Sequence, residues 1–388
     1  MNTSSTDIVP SCRLLVIDLE PTPYKTDLWN VFSSEVELYV VYTERKNWAP
    51  DGGHDFQSLP EFQHEHIVLE GRGLAGKLKS TSEVVRKISS QDFNLIYIAG
   101  YSRMSTMVAV LLASLLRRQF VLHSDVFNNG RPAGKFSPIK RIVRGLLRRT
   151  SFNWGSAVLV CGKRGKESTL KAGCTSEKIL NFPYVIDINR INLAQPASVP
   201  ALCQDDLDGK KVVIFFSGRM IPRKGLYTLL AALSQLETLK DWILWIEGDG
   251  PDFLLNKGLA EKLGVEEKCR FLGFCQYDLH SWLIRSSDIV VVPSLEDNWG
   301  IVVDEGLQLG KSVIASEATG SGYDLIDNGR NGFLFKAGDV DTLADLMSSL
   351  IDDASKRTLI GSNAASSSRN LCPRDNLTTL LNYFEKKL

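Results

Sequence analysis

Val291–Ser316 reads VVPSLEDNWGIVVDEGLQLGKSVIAS, and this stretch decides how the rest of the chain is read. A short apolar run stops at Pro293-Ser294. A polar loop follows, holding Glu296, Asp297, Asn298, Trp299 and Gly300. Apolar spacing then predicts a helix over 302–309 carrying Asp304 and Glu305, and 312–315 predicts a second strand. Strand, loop, helix and strand in so few residues make one parallel βαβ unit. Working upstream, 211–216 (KVVIFF), 242–246 and 289–292 predict strands, with helices over 226–236, 253–263 and 277–285. Downstream come a short strand over 332–335 and helices over 340–351 and 376–386.

The first half has the same rhythm. Strands are predicted over 14–19 (LLVIDL), 36–42, 95–99, 120–123 and 157–161, with helices from 27 and over 80–88, 105–116 and 163–172. Strands alternating with helices imply parallel sheets covered on both faces. The fold class is therefore α/β, with two tandem Rossmann-like, doubly wound domains facing each other across a cleft. Residues 190–210 lack a periodic apolar pattern and read as a linker. The N-terminal domain is then 1–195 and the C-terminal domain 205–370. Such sheets bind ligands at the carboxyl ends of their strands.

Composition bounds the function. The chain has 388 residues, with 45 Lys+Arg against 45 Asp+Glu, which excludes a protein that is basic throughout. The charge is unevenly spread: residues 1–200 carry 25 basic and 18 acidic side chains, and the balance reverses beyond them. Seven cysteines, an odd number without a CxxC, fit neither a zinc site nor a disulfide framework. The polar N-terminus has no signal-peptide pattern, and the longest apolar stretch, 107–116, is too short to span a bilayer. These features predict a cytoplasmic chain, or one lying on the inner leaflet of a membrane.

Two constellations carry chemistry. In 215–226 (FFSGRMIPRKGL) a strand ends at Ser217-Gly218 and a helix begins near Gly225, with Arg219, Arg223 and Lys224 between them. Gly218 permits close backbone approach, Arg219 offers a planar fork for phosphate oxygens, and Lys224 a point charge. The helix N-terminus adds its dipole. The same cations also fit a solvated loop. No GxGxxG or Walker A pattern occurs. In the second constellation, Glu305 can accept both hydrogen bonds of a vicinal diol such as a ribose. Asp297 can reach a polar group further along the ligand, and the backbone around Gly300 suits a diphosphate or a sugar hydroxyl. The same acids also fit ordinary helix-start residues that complement the dipole.

FSGRMIPRKG, IEGDGP, the 291–316 stretch and DLIDNGRNGFLF occur in that order. Together they resemble the C-terminal half of family 4 retaining glycosyltransferases of the GT-B fold, closely over about residues 210–340. The family pattern there is a Glu-x7-Glu pair. Glu305 matches its second position, and Asp297 replaces the first. The N-terminal half resembles the family more loosely through EPTPYKTDLWNVF, the GYS helix start and the HSD strand end, and no glycine precedes Gly52. The resemblance implies transfer of a hexose from a nucleotide-sugar to a hydroxyl acceptor, a glycan or lipid-linked intermediate. Arg219 and Lys224 would hold the diphosphate, and Glu305 the ribose. Asp297, Trp299, Gly300 and Ile301 would hold the sugar, and His123 would stand near it. Asp297 as a covalent nucleophile is an alternative to front-face transfer. No cofactor and no metal are implied. Residues 371–388 would return to pack on the first domain. Other readings of the same residues are a catalytically inactive sugar-nucleotide-binding subunit and a GT-B nucleotide-sugar epimerase.

Residues 135–149 (KFSPIKRIVRGLLRR) place Ile139, Ile142, Val143, Leu146 and Leu147 on one helix face among Lys140, Arg141, Arg144, Arg148 and Arg149. A basic amphipathic helix suits an anionic membrane surface, and equally a core-facing helix with a solvated basic side. Interleaved aromatics are missing, so no nucleic-acid partner is expected. His54, His64, His66 and His280 have no motif context and read as surface or structural residues.

Overall fold

The computed structural model describes residues 12–43, 59–69, 73–125, 138–236, 238, 241–368 and 371–385. They form two compact units. One holds the described residues up to Pro183 together with those from Asn376, and the other holds the described residues of Tyr184–Asp375.

The first unit is a seven-stranded sheet of β1 (Arg13–Asp18), β2 (Glu37–Tyr42), β3 (Glu65–Val68), β4 (Leu95–Ala99), β5 (Phe120–His123), β6 (Ala157–Val160) and β7 (Ile179–Asn181), in the order β3-β2-β1-β4-β5-β6-β7. The second is a six-stranded sheet of β8 (Val212–Ser217), β9 (Trp242–Glu247), β10 (Cys269–Gly273), β11 (Ile289–Val292), β12 (Ser312–Ser316) and β13 (Phe333–Phe335), in the order β10-β9-β8-β11-β12-β13. Every described strand pair is parallel.

Helices cover both faces, so the central strands are apolar on both sides. In β8, Val212, Ile214 and Phe216 pack with Leu229, Leu233 and Leu343, while Val213 and Phe215 pack with Leu283 and Val303 on the opposite face. In each sheet the winding reverses once, between β1 and β4 and between β8 and β11. At such a reversal the flanking helices leave on opposite faces and open a crevice at the strands' carboxyl ends.

The expected linker is not one. Residues 190–210 include helices Ile188–Leu193 and Ala201–Asp205 and are anchored to the second unit. Ile186 and Ile191 pack with Tyr277, and the Arg285 guanidinium donates to the carbonyls of Asn192 and Ala194. Asp206 is buried and accepts from Trp245 Nε1 at 3.1 Å and from Arg270. Residues 184–195, which the sequence reading places in the N-terminal domain, therefore pack with the second unit. The contacts are hydrogen bonds to backbone and isolated apolar anchors, which leave no periodic signal. Strands β3 and β7 and the helix Ala354–Ser367 also escape the sequence pattern.

The helix Pro373–Glu385 crosses from one unit to the other. Leu377 and Leu380 on it are buried, and Asn376 Nδ2 donates to the Pro183 carbonyl of the first unit at 2.8 Å. All seven cysteines are free thiols. In the basic helix Pro138–Trp154 the expected single apolar face is split. Val143 and Leu147 pack inward, whereas Ile142 and Leu146 are 62% and 59% exposed. Residues 135–137, the side chains of Ile139, Lys140 and Arg141, and also Gly52 and His54, lie outside the described residues.

Candidate functional site

The two sequence constellations meet at the reversal between β8 and β11. β8 ends at Ser217, and the Gly218 N–H donates to the Glu247 carbonyl at 3.1 Å. The backbone there passes so close to Gly248 that a Cβ on that residue would overlap the Gly218 carbonyl oxygen. Pro222–Lys224 form one 3-10 turn, and Gly225, at φ +70°, starts the helix Leu226–Leu233. A Cβ at Gly225 would collide with the Pro293 carbonyl oxygen, so glycine lets the loop after β8 lie against the end of β11.

Across this contact the Leu295 N–H donates to the Arg223 carbonyl at 2.8 Å, and Arg223 donates to the Glu296 carbonyl at 3.2 Å. Lys224 Nζ donates to Asp297 Oδ2 at 2.6 Å, with the Arg223 guanidinium 3.9 Å from Oδ1. Arg219 makes no side-chain hydrogen bond or ion pair among the described residues.

The loop 297–300 is braced from the far side. Asp297 bridges to Thr319, and the Ser321 hydroxyl donates to the carbonyls of Trp299 and Gly300. Gly300, at φ +80°, opens the helix Ile301–Gln308. A side chain at Gly300 would strike Thr319. The Ile301 and Val302 N–H groups have no acceptor among the described residues, as the first turn of a helix dictates. Trp299 is buried beneath the loop, and its Nε1 is a buried donor with no partner among the described residues.

Glu305 lies in the same helix and is buried. Its Oε2 accepts from His280 Nε2 at 3.1 Å, and His280 Nδ1 donates to Glu247 Oε2 at 2.6 Å. Burial favours the neutral imidazole, but the Glu247 and Glu305 carboxylates outweigh it and hold the His280 pKa well above its usual value. The neighbouring Asp304 is fully buried. Burial pushes its carboxyl up to about 7, against the bond from Gln308 Nε2 at 3.0 Å.

Eight of the nine expected residues thus lie in the second unit, in the two segments that meet at the β8/β11 reversal: Gly218, Arg219, Lys224, Asp297, Trp299, Gly300, Ile301 and Glu305. His123 lies in the first unit, buried at the end of β5. It is hydrogen-bonded to the Tyr97 hydroxyl, and its Nε2 stands 3.6 Å from Cys161 Sγ. Burial lowers its pKa. One ligand atom from each of His123, Asp125 and Cys161 lies within 4.8 Å of the others, the one such candidate cation cluster among the described residues. The sequence pattern missed Glu247, counted Arg223 only as one of three loop cations, and missed His280. The signal for the first and third was two ionisable residues at inward positions, one at the end of a buried strand and one beside Tyr277, Leu283 and Ile284.

Residues 204–367 match the family model "Glycosyl transferases group 1". An uncharacterized glycosyltransferase of Methanocaldococcus jannaschii is 26% identical over 343 residues, which is 85% of this chain and 84% of that protein. A lipopolysaccharide core biosynthesis glycosyltransferase, LpsE of Rhizobium meliloti, is 30% identical over 174 residues, 45% of this chain and 46% of that protein. Among solved structures, Anabaena HepE in complex with UDP and glucose superposes with a TM-score of 0.73 at 21% identity, covering 97% of this chain and all of that one. WaaG, a glycosyltransferase involved in lipopolysaccharide biosynthesis, superposes with a TM-score of 0.67 at 14% identity, covering 93% of this chain and 98% of that one.

Proposed function

We propose that this chain, whose residues 204–367 match the group 1 glycosyltransferases and whose fold is GT-B, transfers a hexose from a nucleoside-diphosphate sugar to a hydroxyl acceptor with retention at the anomeric carbon. The observation that carries this reading is the ring of contacts at the β8/β11 reversal. It runs from Gly218 through Lys224, Asp297 and Gly300 to Glu305, and returns through His280 and Glu247. Three kinds of group there are left for a ligand: the Arg219 guanidinium, the first N–H groups of the helix Ile301–Gln308, and Glu305 Oε1.

These suit a diphosphate, a sugar and a ribose diol respectively. Arg219 and Lys224 stabilise charge on the departing nucleoside diphosphate, a task cations perform without a metal. Front-face transfer is the proposed route. The acceptor oxygen bonds to the anomeric carbon as the bond to the diphosphate breaks, and the hydroxyl proton passes to a phosphate oxygen. Asp297 is held by Lys224 at 2.6 Å and faced by Arg223, which lowers its nucleophilicity and favours this route over a covalent sugar–enzyme bond.

The first unit, with His123, is assigned to the acceptor. A lipid-linked or glycan acceptor at a cytoplasmic membrane face is supported by that unit's surface. Exposed Ile142 and Leu146 stand beside Arg149, and Leu115 is 79% exposed on the helix Met104–Leu115, which packs against the basic helix. No described helix is long and apolar enough to cross a membrane.

The reading is tested with a panel of UDP-, GDP- and ADP-sugars in EDTA, following release of nucleoside diphosphate and reading the product anomer by NMR. Turnover of one donor with retention is expected. Nucleotide binding without turnover on any lipid or glycan acceptor would favour an inactive binding subunit, and turnover with inversion would remove the front-face route.

A further inference from the structure

Glu247, His280 and Glu305 form a linear chain of three ionisable side chains, all buried, behind the residue assigned to the ribose. The donor reading uses only the last of them. The geometry constrains their protons. Both imidazole nitrogens lie within hydrogen-bond distance of a carboxylate oxygen, at 2.6 Å and 3.1 Å. An ionised carboxylate only accepts, so both nitrogens must carry hydrogen while both acids are ionised. The cluster then carries one net negative charge rather than two, which lets two carboxylates share a buried site. Glu247 is fixed at the end of β9, His280 lies within the helix Tyr277–Ser286, and Glu305 lies on the helix that opens at Gly300. Three separate elements therefore meet at one imidazole, and Glu305 has one oxygen tied and the other, Oε1, untied.

We propose that His280 is a positioning residue for nucleotide recognition: Glu247 orients its ring, and the ring pins Glu305 Oε2 so that Oε1 is presented in one geometry to a vicinal diol. The inference rests on the donor reading of Glu305 and goes beyond it. It makes selectivity for a ribose over a sugar lacking those hydroxyls a property of the three-residue chain. A carboxylate free to rotate would offer the diol several poses and lose part of the bond energy to ordering.

The test measures equilibrium binding of UDP, GDP and ADP, each against its 2′,3′-dideoxy counterpart, to the full chain. Two hydrogen bonds to a carboxylate are expected to make the unmodified chain prefer the ribo form of its nucleotide by roughly 10–100-fold. His280→Gln keeps the size of the side chain but donates in only one direction. It should cut that preference to under about fivefold while changing affinity for the dideoxy form by less than about twofold. Glu247→Gln, remote from the ligand, should give an intermediate loss.

The pH profile adds a second readout. The ionisable groups around the imidazole are Glu247 from β9 and Glu305 from the helix Ile301–Gln308. Beyond them lie Cys275, Tyr277 with Arg190 stacked on its ring, and Asp304. Because His280 titrates above its ordinary range, the preference should hold through neutral pH and fall on the alkaline side, and His280→Gln should flatten this limb. If His280→Gln does not fold, Glu247→Gln and the profile of the unmodified chain decide the matter. Undiminished preference in either variant, or equal weakening of ribo and dideoxy forms, overturns the inference while leaving the donor site standing. Failure of the unmodified chain to bind any of the three nucleotides overturns both.

Discussion

The two sheets reverse their winding at equivalent places, yet the two crevices are built differently. In the first unit β1 ends in Asp18, which is buried. Its carboxylate accepts from Lys25 Nζ at 2.6 Å, from Trp29 Nε1 at 3.3 Å and from the Leu19 N–H at 2.7 Å. In the second unit β8 ends in Ser217-Gly218, and the following loop carries three cations, of which Lys224 is matched by Asp297. In the first crevice the Asp18 carboxylate is matched from within the unit. The second keeps Arg219, the Ile301 N–H and Glu305 Oε1 available. A shared topology thus supplies two similar hollows, and the hollow whose polar groups are left unspent is the one suited to a charged ligand.

The largest effect that should break this comparison lies in the backbone. Gly225→Ala adds both a left-handed strain and a collision with the Pro293 carbonyl, and we expect a loss of about 4 kcal/mol or more in urea unfolding. Gly100, which follows β4 at φ +76° with open space around it, should cost only about 1 kcal/mol on the same change. Equal costs would mean that the close approach at β8/β11 is not what the second crevice needs.

The next contrast uses the two lysines. Lys224→Met should lower kcat/KM for the donor by about 10²–10³, as expected for loss of a charge that meets the departing diphosphate. Lys25→Met should leave nucleotide affinity unchanged, yet destabilise the chain by about 2–3 kcal/mol because Asp18 stays buried without its cation. A donor-binding defect in Lys25→Met would erase the distinction between the crevices.

A smaller effect concerns pH. Asp304 has a folded pKa near 7, above its unfolded value, so its contribution to stability is complete below about pH 4 and is lost as pH rises through 7. Asp304→Asn should therefore be near neutral at pH 4.5 and stabilising by about 1–3 kcal/mol at pH 8. The same gain at both pH values would show that the carboxyl does not titrate there. The smallest effect belongs to the first unit's surface. Ile142→Ser with Leu146→Ser should weaken binding to anionic vesicles by roughly tenfold without altering nucleotide affinity, given the apolar area involved. Unchanged sedimentation with vesicles would remove the membrane proposal.

Much of this architecture is legible in the residues. Strands such as IVVV and LLVID read clearly because a sheet covered on both sides demands unbroken apolar runs. The pairing of the 215–226 and 291–316 stretches was legible because each ends a strand and begins a helix at a glycine. Three things were not. The Tyr184–Asp206 segment binds its unit through backbone carbonyls and a buried Asp206, which leave no apolar period. The face of the basic helix is split because Val143 and Leu147 suffice for its contact, a choice made by its neighbours. His280 carries no motif of its own because its role comes from Glu247 and Glu305, which lie far away in sequence and meet it only once β9 and two helices have assembled.

The segment from Asn376 has a consequence for how the molecule is made. Asn376 ties to Pro183 and Tyr383 to Ser156, both residues of the first unit. The first unit is therefore discontinuous, with the whole of the second threaded between its pieces. During synthesis the second unit has all of its residues before the first does. The earliest part of the chain to leave the ribosome is thus among the last to be completed, because the carbonyls of Pro183 and Ser156 gain their partners only once residues 376–385 have been made.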